Sequence, residues 1–148
     1  MTADLRSLYE EVILDHNRNP RNFQYAPPGA NHVAHGYNPL CGDEFTVSLR
    51  LENGVVTDIG FEGAGCAIST ASASLMTEIV KGKTVEEARA LFESVHGLLT
   101  SEGGAGPTGK LQALAGVREY PARVKCATLA WHTLQAALRK EQGIISTE

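Results

Sequence analysis

Apolar and polar residues alternate in two neighbouring segments of this chain. In residues 43–51 the apolar positions are Phe45, Val47, Leu49 and Leu51, and residues 55–63 alternate through most of their length. A period of two residues is typical of a strand with one buried face. Because only Glu52-Asn53-Gly54 separates the two segments, we expect them to pair as an antiparallel hairpin.

The turn of this hairpin decides which faces meet. A two-residue Asn53-Gly54 turn pairs Leu49 with Asp58 and sets the two apolar rows on opposite faces. A three-residue loop, with Gly54 in the left-handed conformation, pairs Leu49 with Thr57 and keeps both rows on one face. We therefore predict the three-residue loop.

That register has a consequence at the open end of the hairpin. It sets Asp43 opposite Gly63 and brings Cys41 near Gly65, the residue before Cys66. Cys41 and Asp43 also share the parity of the apolar row, so both are expected on the buried face. Two remote parts of the sequence then meet at one corner of the sheet.

Helical periodicity covers most of the remaining chain. Apolar stripes predict helices over residues 4–16, from Cys66 to just before Gly82, from a capping box at Thr84 onward, and from Pro121 to about Arg139. Residues 32–37 predict a short edge strand. The fold class is α+β: a small antiparallel sheet of about three strands, covered on one side by helices. We expect a single domain over residues 1–148.

Charge and composition exclude several functional classes. The 148 residues have a formal net charge of −4, which offers phosphates no basic field, so nucleic acid is not an expected partner. No apolar run is long enough to span a membrane, and the N-terminus lacks the features of a signal peptide. We expect a cytoplasmic protein whose three cysteines remain reduced.

Each cysteine is predicted to lie where an element begins. Cys66 follows a glycine-rich run and opens a helix, and Cys126 lies in the first turns of the last helix. Helix N-termini favour thiolates, and Zn²⁺ prefers tetrahedral sets of thiolate, imidazole and carboxylate ligands. We therefore predict a metal site or sulfur-handling site formed by Cys41, Asp43, Cys66 and Cys126. The alternatives are buried apolar cysteines and an Asp43 that faces water or caps a nearby N–H.

Lysine and histidine are two further residue types that could contribute to this site. Lys125, next to Cys126, would favour the thiolate or hold an incoming anionic sulfur species, and a solvated helix residue is the equal alternative. His32, His35 and His96 have no cysteine or carboxylate at ligand spacing, and none of the five histidines is expected in the metal site. His16 and His132 are expected to pack between helices or to lie at the surface.

Several motifs together resemble the U-type iron–sulfur cluster assembly family (IscU/SufU), and the likeness covers nearly the whole chain. They are Leu8-Tyr9 leading to Asp15-His16, Asn19-Pro20-Arg21-Asn22, Asn38-Pro39-Leu40-Cys41-Gly42-Asp43, Phe61 to Ser69, and Val124-Lys125-Cys126. Scaffold members have a histidine before the third cysteine, where this chain has Lys125. The chain also has extra sequence, a flexible insertion at about 101–117. Both traits resemble the SufU branch.

The resemblance implies a function and a set of partners. Members of the SufU branch bind zinc through the residues matching Cys41, Asp43, Cys66 and Cys126. They accept sulfur from a pyridoxal-phosphate cysteine desulfurase, here a SufS-like partner, and supply downstream iron–sulfur assembly or acceptor proteins. A histidine of the desulfurase would displace Cys41 from the metal, and the freed thiolate would attack the persulfide of the desulfurase.

Two other functions use the same residues. One is a non-enzymatic scaffold on which a labile [2Fe–2S] cluster is assembled and passed on, because cysteine ligates such clusters and a carboxylate would keep one labile. The other is a structural zinc domain without sulfur chemistry. The sequence therefore leaves open whether the protein is a zinc-dependent sulfurtransferase or a scaffold.

Overall fold

The computed structural model describes residues 2–39, 42–100, 114, 117, 121–139 and 144–146. In chain order the elements are α1 (Thr2–Arg18), β1 (His32–Asn38), β2 (Asp43–Glu52), β3 (Val55–Ala64), α2 (Ala67–Val80), α3 (Val85–Thr100), α4 (Pro121–Arg139) and β4 (Ile144–Ser146). The predicted α+β class is confirmed. Most of the expected insertion at 101–117 lies outside the described residues, although Leu114 and Val117 are buried in the core.

The sheet has the strand order β3-β2-β1-β4. β1, β2 and β3 are antiparallel, and β4 pairs in parallel with β1 at His35–Tyr37. The prediction that β1 is an edge strand is therefore wrong, because β4 covers its outer side. Three residues are too few to show an alternating pattern, which is why the sequence did not indicate β4.

The β2–β3 register differs from the predicted one. Asn53 and Gly54 have φ angles of 52° and 78° and form a two-residue turn in which Glu52 pairs with Val55. These two left-handed residues are the signature of a type I′ hairpin turn. The predicted three-residue loop is wrong.

A β-bulge reconciles this turn with a single apolar face. The register shifts between Arg50 and Leu51, so that Leu49 pairs with Ile59, and Thr57 is the extra residue on β3. An extra residue reverses the parity of the strand beyond it, which returns both apolar rows to the same side. The Thr57 hydroxyl donates to the Arg50 carbonyl (3.1 Å) and accepts from Arg50 Nε (3.1 Å), which stabilises the bulge.

The helices cover the inner face of the sheet. α4 packs across β1 and β2, while α2 lies between α1 and α4 and also contacts β3. Apolar side chains from all of these elements form one buried cluster; its largest members are Trp131, Phe45, Phe61, Leu49 and Ile59. In the part of the chain that the structure describes, no helix has the length and apolar character needed to cross a bilayer.

Small residues of α2 serve its contacts with the helices on both sides. Ser72 Oγ donates to the Ala127 carbonyl of α4 (2.6 Å) and accepts from Trp131 Nε1 (3.1 Å). On the other side, Ser74 Oγ contacts the buried His16 Nδ1 of α1 (2.7 Å) and accepts the Arg21 backbone N–H (2.8 Å). Serine suits a helix buried on both sides, because its short side chain permits close packing and still forms hydrogen bonds.

The ends of the middle helices follow the sequence signals. Gly82, after the end of α2, has a φ of 88°. At the start of α3, the Thr84 hydroxyl accepts the Glu87 N–H (3.1 Å) and the Glu87 carboxylate accepts the Thr84 N–H (3.0 Å). Both halves of the predicted capping box are therefore present. The hydrogen bonds from Thr84 lower the pKa of Glu87 below its usual value.

β1 and α4 pack closely at Gly36, where β1 contributes no side chain to the contact. A Cβ built on Gly36 would lie 2.0 Å from Thr133 Oγ1 and 3.0 Å from Leu129 Cδ1, which leaves no room for a methyl group. Thr133 follows Cys126 by two helical turns, on the same face of α4. The contact at Gly36 therefore sets how closely the Cys126 end of the helix approaches the sheet.

Gly36→Ala should destabilise the protein by about 1–3 kcal/mol, because overpacking forces β1 and α4 apart. Gly97→Ala is the matched control, since a Cβ at Gly97 in α3 meets open space and alanine favours the helix. Urea unfolding followed by circular dichroism should show a lower midpoint for Gly36→Ala and an equal or higher one for Gly97→Ala. Equal midpoints for wild type and Gly36→Ala would contradict the close β1–α4 contact.

Candidate metal centre

Asp43, Cys66 and Cys126 meet at one corner of the fold. Asp43 begins β2, Cys66 immediately precedes α2, and Cys126 lies in the second turn of α4. One ligand atom from each lies within 4.8 Å of both others. Cys41, the fourth residue of the predicted set, lies outside the described residues. Ligation of a metal by these residues remains a prediction.

Asp43 reaches this corner through the observed register, not the predicted one. Phe45 pairs with Gly63, so Asp43 lies two positions further along, beside Gly65 and next to Cys66. The expectation that Asp43 faces Gly63 is wrong, because the bulge was not foreseen. The shift brings the carboxylate closer to Cys66 than the predicted register did.

The Asp43 carboxylate is fully buried and its two oxygens have different surroundings. Oδ1 accepts the backbone N–H of Cys66 at 2.8 Å, and Oδ2 lies 3.9 Å from Cys66 Sγ. The capping role considered as an alternative is thus observed for one oxygen. The second oxygen faces the Cys66 thiol, and because Asp43 is fully buried, an ionised carboxylate there needs a charged or hydrogen-bonding partner.

Glycines make room for this arrangement. A Cβ on Gly65 would lie 2.4 Å from Ser69 Oγ and 3.1 Å from Asp43 Oδ1, so any side chain there would displace the site. Gly63 has a φ of 125°, and its Cβ would lie 2.0 Å from the Glu44 carbonyl oxygen. Only glycine fits at these two positions.

Cys66 is the N-cap residue of α2 and is partly exposed. Its side chain forms no capping hydrogen bond, so its sulfur is directed toward the cluster rather than used by the helix. Sγ lies 3.5 Å from Ser69 Oγ, one turn into the helix. The Cys66 carbonyl accepts the Ser69 hydroxyl (3.1 Å) and the Thr70 N–H (3.0 Å), which fixes the backbone at this position.

Cys126 is fully buried in α4. Asn38, the last residue of β1 and also fully buried, donates from Nδ2 to Cys126 Sγ at 3.5 Å. Asn38 pairs with Asp43 across the β1–β2 ladder, so the two side chains lie on the same face of the sheet. The paired residues at the end of β1 and β2 therefore contact both thiols: Asn38 contacts Cys126, and Asp43 contacts Cys66.

The chemistry of these donors fits a divalent metal of zinc type. In a tetrahedral zinc site, bonds of about 2.3 Å to sulfur and 2.1 Å to oxygen place neighbouring ligand atoms about 3.6 Å apart. The 3.9 Å between Asp43 Oδ2 and Cys66 Sγ differs from this by a few tenths of an ångström. Two thiols and a buried carboxylate offer three ligands, and zinc needs one more.

The other residues considered from the sequence lie apart from the cluster or beside it. Lys125 is partly buried and adjacent to Cys126 in α4. Its stabilisation of a thiolate or of an incoming sulfur species remains a prediction. No histidine of the described chain belongs to the cluster. The His132 ring packs edge-to-face against Phe92 and His96, and burial, followed by the nearby His96, lowers the pKa of His132.

Sequence reasoning missed Asn38 and Ser69 as parts of the site. Asn38 has the parity of the buried positions of β1, which would have indicated an inward polar side chain at the strand end. The signal for Ser69 is its position three residues after Cys66, which places it on the same side of the helix.

Comparisons with known proteins show the family to which this chain belongs. Residues 8–146 match the family model described as the NifU-like N-terminal domain. The chain is 40% identical over 143 residues to the zinc-dependent sulfurtransferase SufU of Bacillus subtilis, covering 95% of this chain and 96% of that protein. It is 44% identical over 138 residues to the iron–sulfur cluster assembly scaffold protein IscU of Thermotoga maritima, covering 91% and 95%.

The fold has close counterparts among solved structures. The crystal structure of a nitrogen-fixing NifU-like protein (N-terminal) from Brucella abortus superposes with a TM-score of 0.77 at 33% identity. The superposition covers 90% of this chain and 94% of that one. This chain therefore belongs to the family of NifU-like N-terminal domains, with close relatives named SufU and IscU.

Proposed function

We propose that this protein acts in iron–sulfur cluster biogenesis as a zinc-dependent sulfur acceptor, which receives persulfide sulfur from a cysteine desulfurase on Cys41. The observation that supports this most is the convergence of Asp43, Cys66 and Cys126 at the base of the connection that contains Cys41. The similarity to a relative named as a zinc-dependent sulfurtransferase supports the same conclusion.

Asp43, Cys66 and Cys126 would hold the zinc together with Cys41. Bound zinc would keep the coordinating thiols deprotonated at neutral pH. Asp43 contributes a ligand that cannot itself accept sulfur, and its hydrogen bond to the Cys66 N–H holds that ligand in place. The protein's part in the site is therefore a rigid frame of three ligands on three different elements.

The short chain between Asn38 and Asp43 supports Cys41 as the fourth member of this set. Asn38 and Asp43 are paired at the end of the ladder, and the Gly42 N–H donates to the Asn38 carbonyl at 2.9 Å. Cys41 is two residues from Asp43, and two residues of extended chain span at most roughly 7 Å. A cysteine side chain on this connection can reach the corner that Asp43 occupies.

The sulfur transfer is a thiol–persulfide exchange. The Cys41 thiolate attacks the outer sulfur of the persulfide on the desulfurase, a new S–S bond forms at Cys41, and the old S–S bond breaks. The cysteine of the desulfurase leaves as a thiolate with the bonding electron pair, and the outer sulfur keeps its proton. Atoms and electrons balance without an added oxidant or reductant.

The partners follow from this chemistry. The donor would be a SufS-like, pyridoxal-phosphate-dependent cysteine desulfurase, and the recipients would be downstream iron–sulfur assembly or acceptor proteins. Lys125, beside Cys126, would stabilise the anionic sulfur during transfer. A reducing cytoplasm is the compartment in which these thiols would remain free.

A scaffold for a transient [2Fe–2S] cluster is the second candidate function. The similarity to relatives named IscU favours it, and a mixed thiolate and carboxylate set would hold such a cluster only loosely. Metal analysis of protein purified without oxygen separates the two. A colourless protein with one tightly held zinc supports the sulfur acceptor, whereas an iron chromophore that passes to an apo-acceptor supports the scaffold.

Asp43→Asn should weaken zinc binding at least about tenfold, because the amide keeps an oxygen for the Cys66 N–H but removes the charged ligand. Competition with a chromophoric chelator measures the affinity. Glu44→Gln is the matched control, since this neighbouring carboxylate is exposed on the opposite face of β2. Equal affinities for Asp43→Asn and wild type would contradict the assignment of Asp43 as a ligand.

Cys41→Ala should abolish stimulation of desulfurase turnover, because the variant has no thiolate to take the persulfide sulfur. Sulfide release in the presence of cysteine and a reductant measures the turnover. Zinc content should be measured on the same samples, so that loss of metal is distinguished from loss of the acceptor. A Cys41→Ala protein that stimulates turnover as strongly as wild type would overturn the proposed function.

A further inference from the structure

Each described thiol of the site contacts a buried polar side chain. Ser69 Oγ lies 3.5 Å from Cys66 Sγ, and Asn38 Nδ2 donates to Cys126 Sγ at 3.5 Å. Both Ser69 and Asn38 are fully buried. A buried hydroxyl or amide placed against sulfur can act on that sulfur as a hydrogen-bond donor.

We propose that Ser69 and Asn38 are positioning residues that hold the sulfurs of Cys66 and Cys126 at the metal and direct incoming sulfur to Cys41. The part that concerns sulfur transfer rests on the function proposed above. The part that concerns metal retention depends only on the cluster of Asp43, Cys66 and Cys126.

A hydrogen bond to a thiolate draws electron density away from the sulfur. It stabilises the ionised form as a ligand and makes the same sulfur a weaker nucleophile. Cys126 is fully buried, so its burial already shields it from a persulfide on another protein. Cys66 is partly exposed, and its resistance to sulfur transfer therefore depends on Ser69.

The surrounding backbone keeps both donors in position. Ser69 lies one turn into α2, and the missing side chain at Gly65 leaves the space that its hydroxyl occupies. The hydroxyl has one proton and two acceptors, the Cys66 carbonyl at 3.1 Å and Cys66 Sγ at 3.5 Å. Ionised sulfur is the stronger acceptor, so the proton turns to Sγ once the thiol is deprotonated.

Asn38 is held by the sheet itself. It is paired with Asp43 in the ladder, and its carbonyl accepts the Gly42 N–H. The backbone of Asn38 is therefore fixed by the sheet, and its side-chain amide is in place to donate to Cys126 Sγ.

The metal-retention part is tested with Ser69→Ala and Asn38→Ala. Each should weaken zinc binding by about 10- to 100-fold in competition with a chelator, the usual effect of removing a partner of a metal ligand. The thiolate-to-metal charge-transfer band of the Co²⁺-loaded protein should move to longer wavelength, because the sulfur becomes more electron-rich.

Ser72→Ala is the matched control. It removes a buried hydroxyl from the same helix that bonds to the Ala127 carbonyl and Trp131 Nε1 but touches no sulfur. It should lower the unfolding midpoint and leave both the zinc affinity and the Co²⁺ band unchanged. If Ser69→Ala and Ser72→Ala change these two quantities equally, or if Ser69→Ala changes neither, the proposal is wrong. Should Asn38→Ala fail to fold, Ser69→Ala decides the outcome.

The direction of sulfur transfer is tested by locating persulfides after reaction with a cysteine desulfurase and cysteine. Alkylation and peptide mass spectrometry should find the persulfide on Cys41 in wild type and Ser72→Ala, and on both Cys41 and Cys66 in Ser69→Ala. Persulfide confined to Cys41 in Ser69→Ala overturns the directing role. Wild type without any persulfide instead contradicts the function proposed above, and the Co²⁺ band still tests metal retention.

Discussion

The hydrogen bond from the Cys66 N–H to Asp43 Oδ1 joins the two halves of the candidate site. It connects the first residue of β2 to the N-cap of α2, and so fixes where the helix begins relative to the hairpin. Because this contact occupies one carboxylate oxygen, the other is directed at Cys66 Sγ. The positions of Asp43 and Cys66 then follow from backbone geometry and not from the flexibility of a long side chain.

The β2–β3 hairpin shows which features the alternation of apolar and polar residues can predict. The pattern correctly predicted two strands and the side that is buried, but it rejected the two-residue turn at Asn53-Gly54 because the apolar rows would then oppose each other. A bulge at Thr57 removes that conflict with a single extra residue. Alternation shows which residues of one strand share a face. It does not show where a bulge shifts the register between two strands.

The site was predictable in part for a related reason. Cysteines at the predicted ends of elements indicated a shared site, and the structure does bring Asp43, Cys66 and Cys126 together. Asn38 and Ser69 were not recognised, because asparagine and serine are common at strand ends and in helices and their meaning depends on what they face. Cys41 lies outside the described residues, so its place in the set still rests on the sequence.

The contact between Gly36 and α4 has a consequence for the cluster of Asp43, Cys66 and Cys126. Gly36 and Asn38 lie two residues apart on one face of β1, opposite Thr133 and Cys126 two turns apart on α4. The spacing between strand and helix, and with it the distance from Cys126 to Asp43 and Cys66, is set where Gly36 meets the side chains of Thr133 and Leu129, about 7 Å along the strand from Asn38. A side chain added at Gly36 would therefore move the Cys126 thiol away from Asp43 and Cys66 without touching any of these three residues.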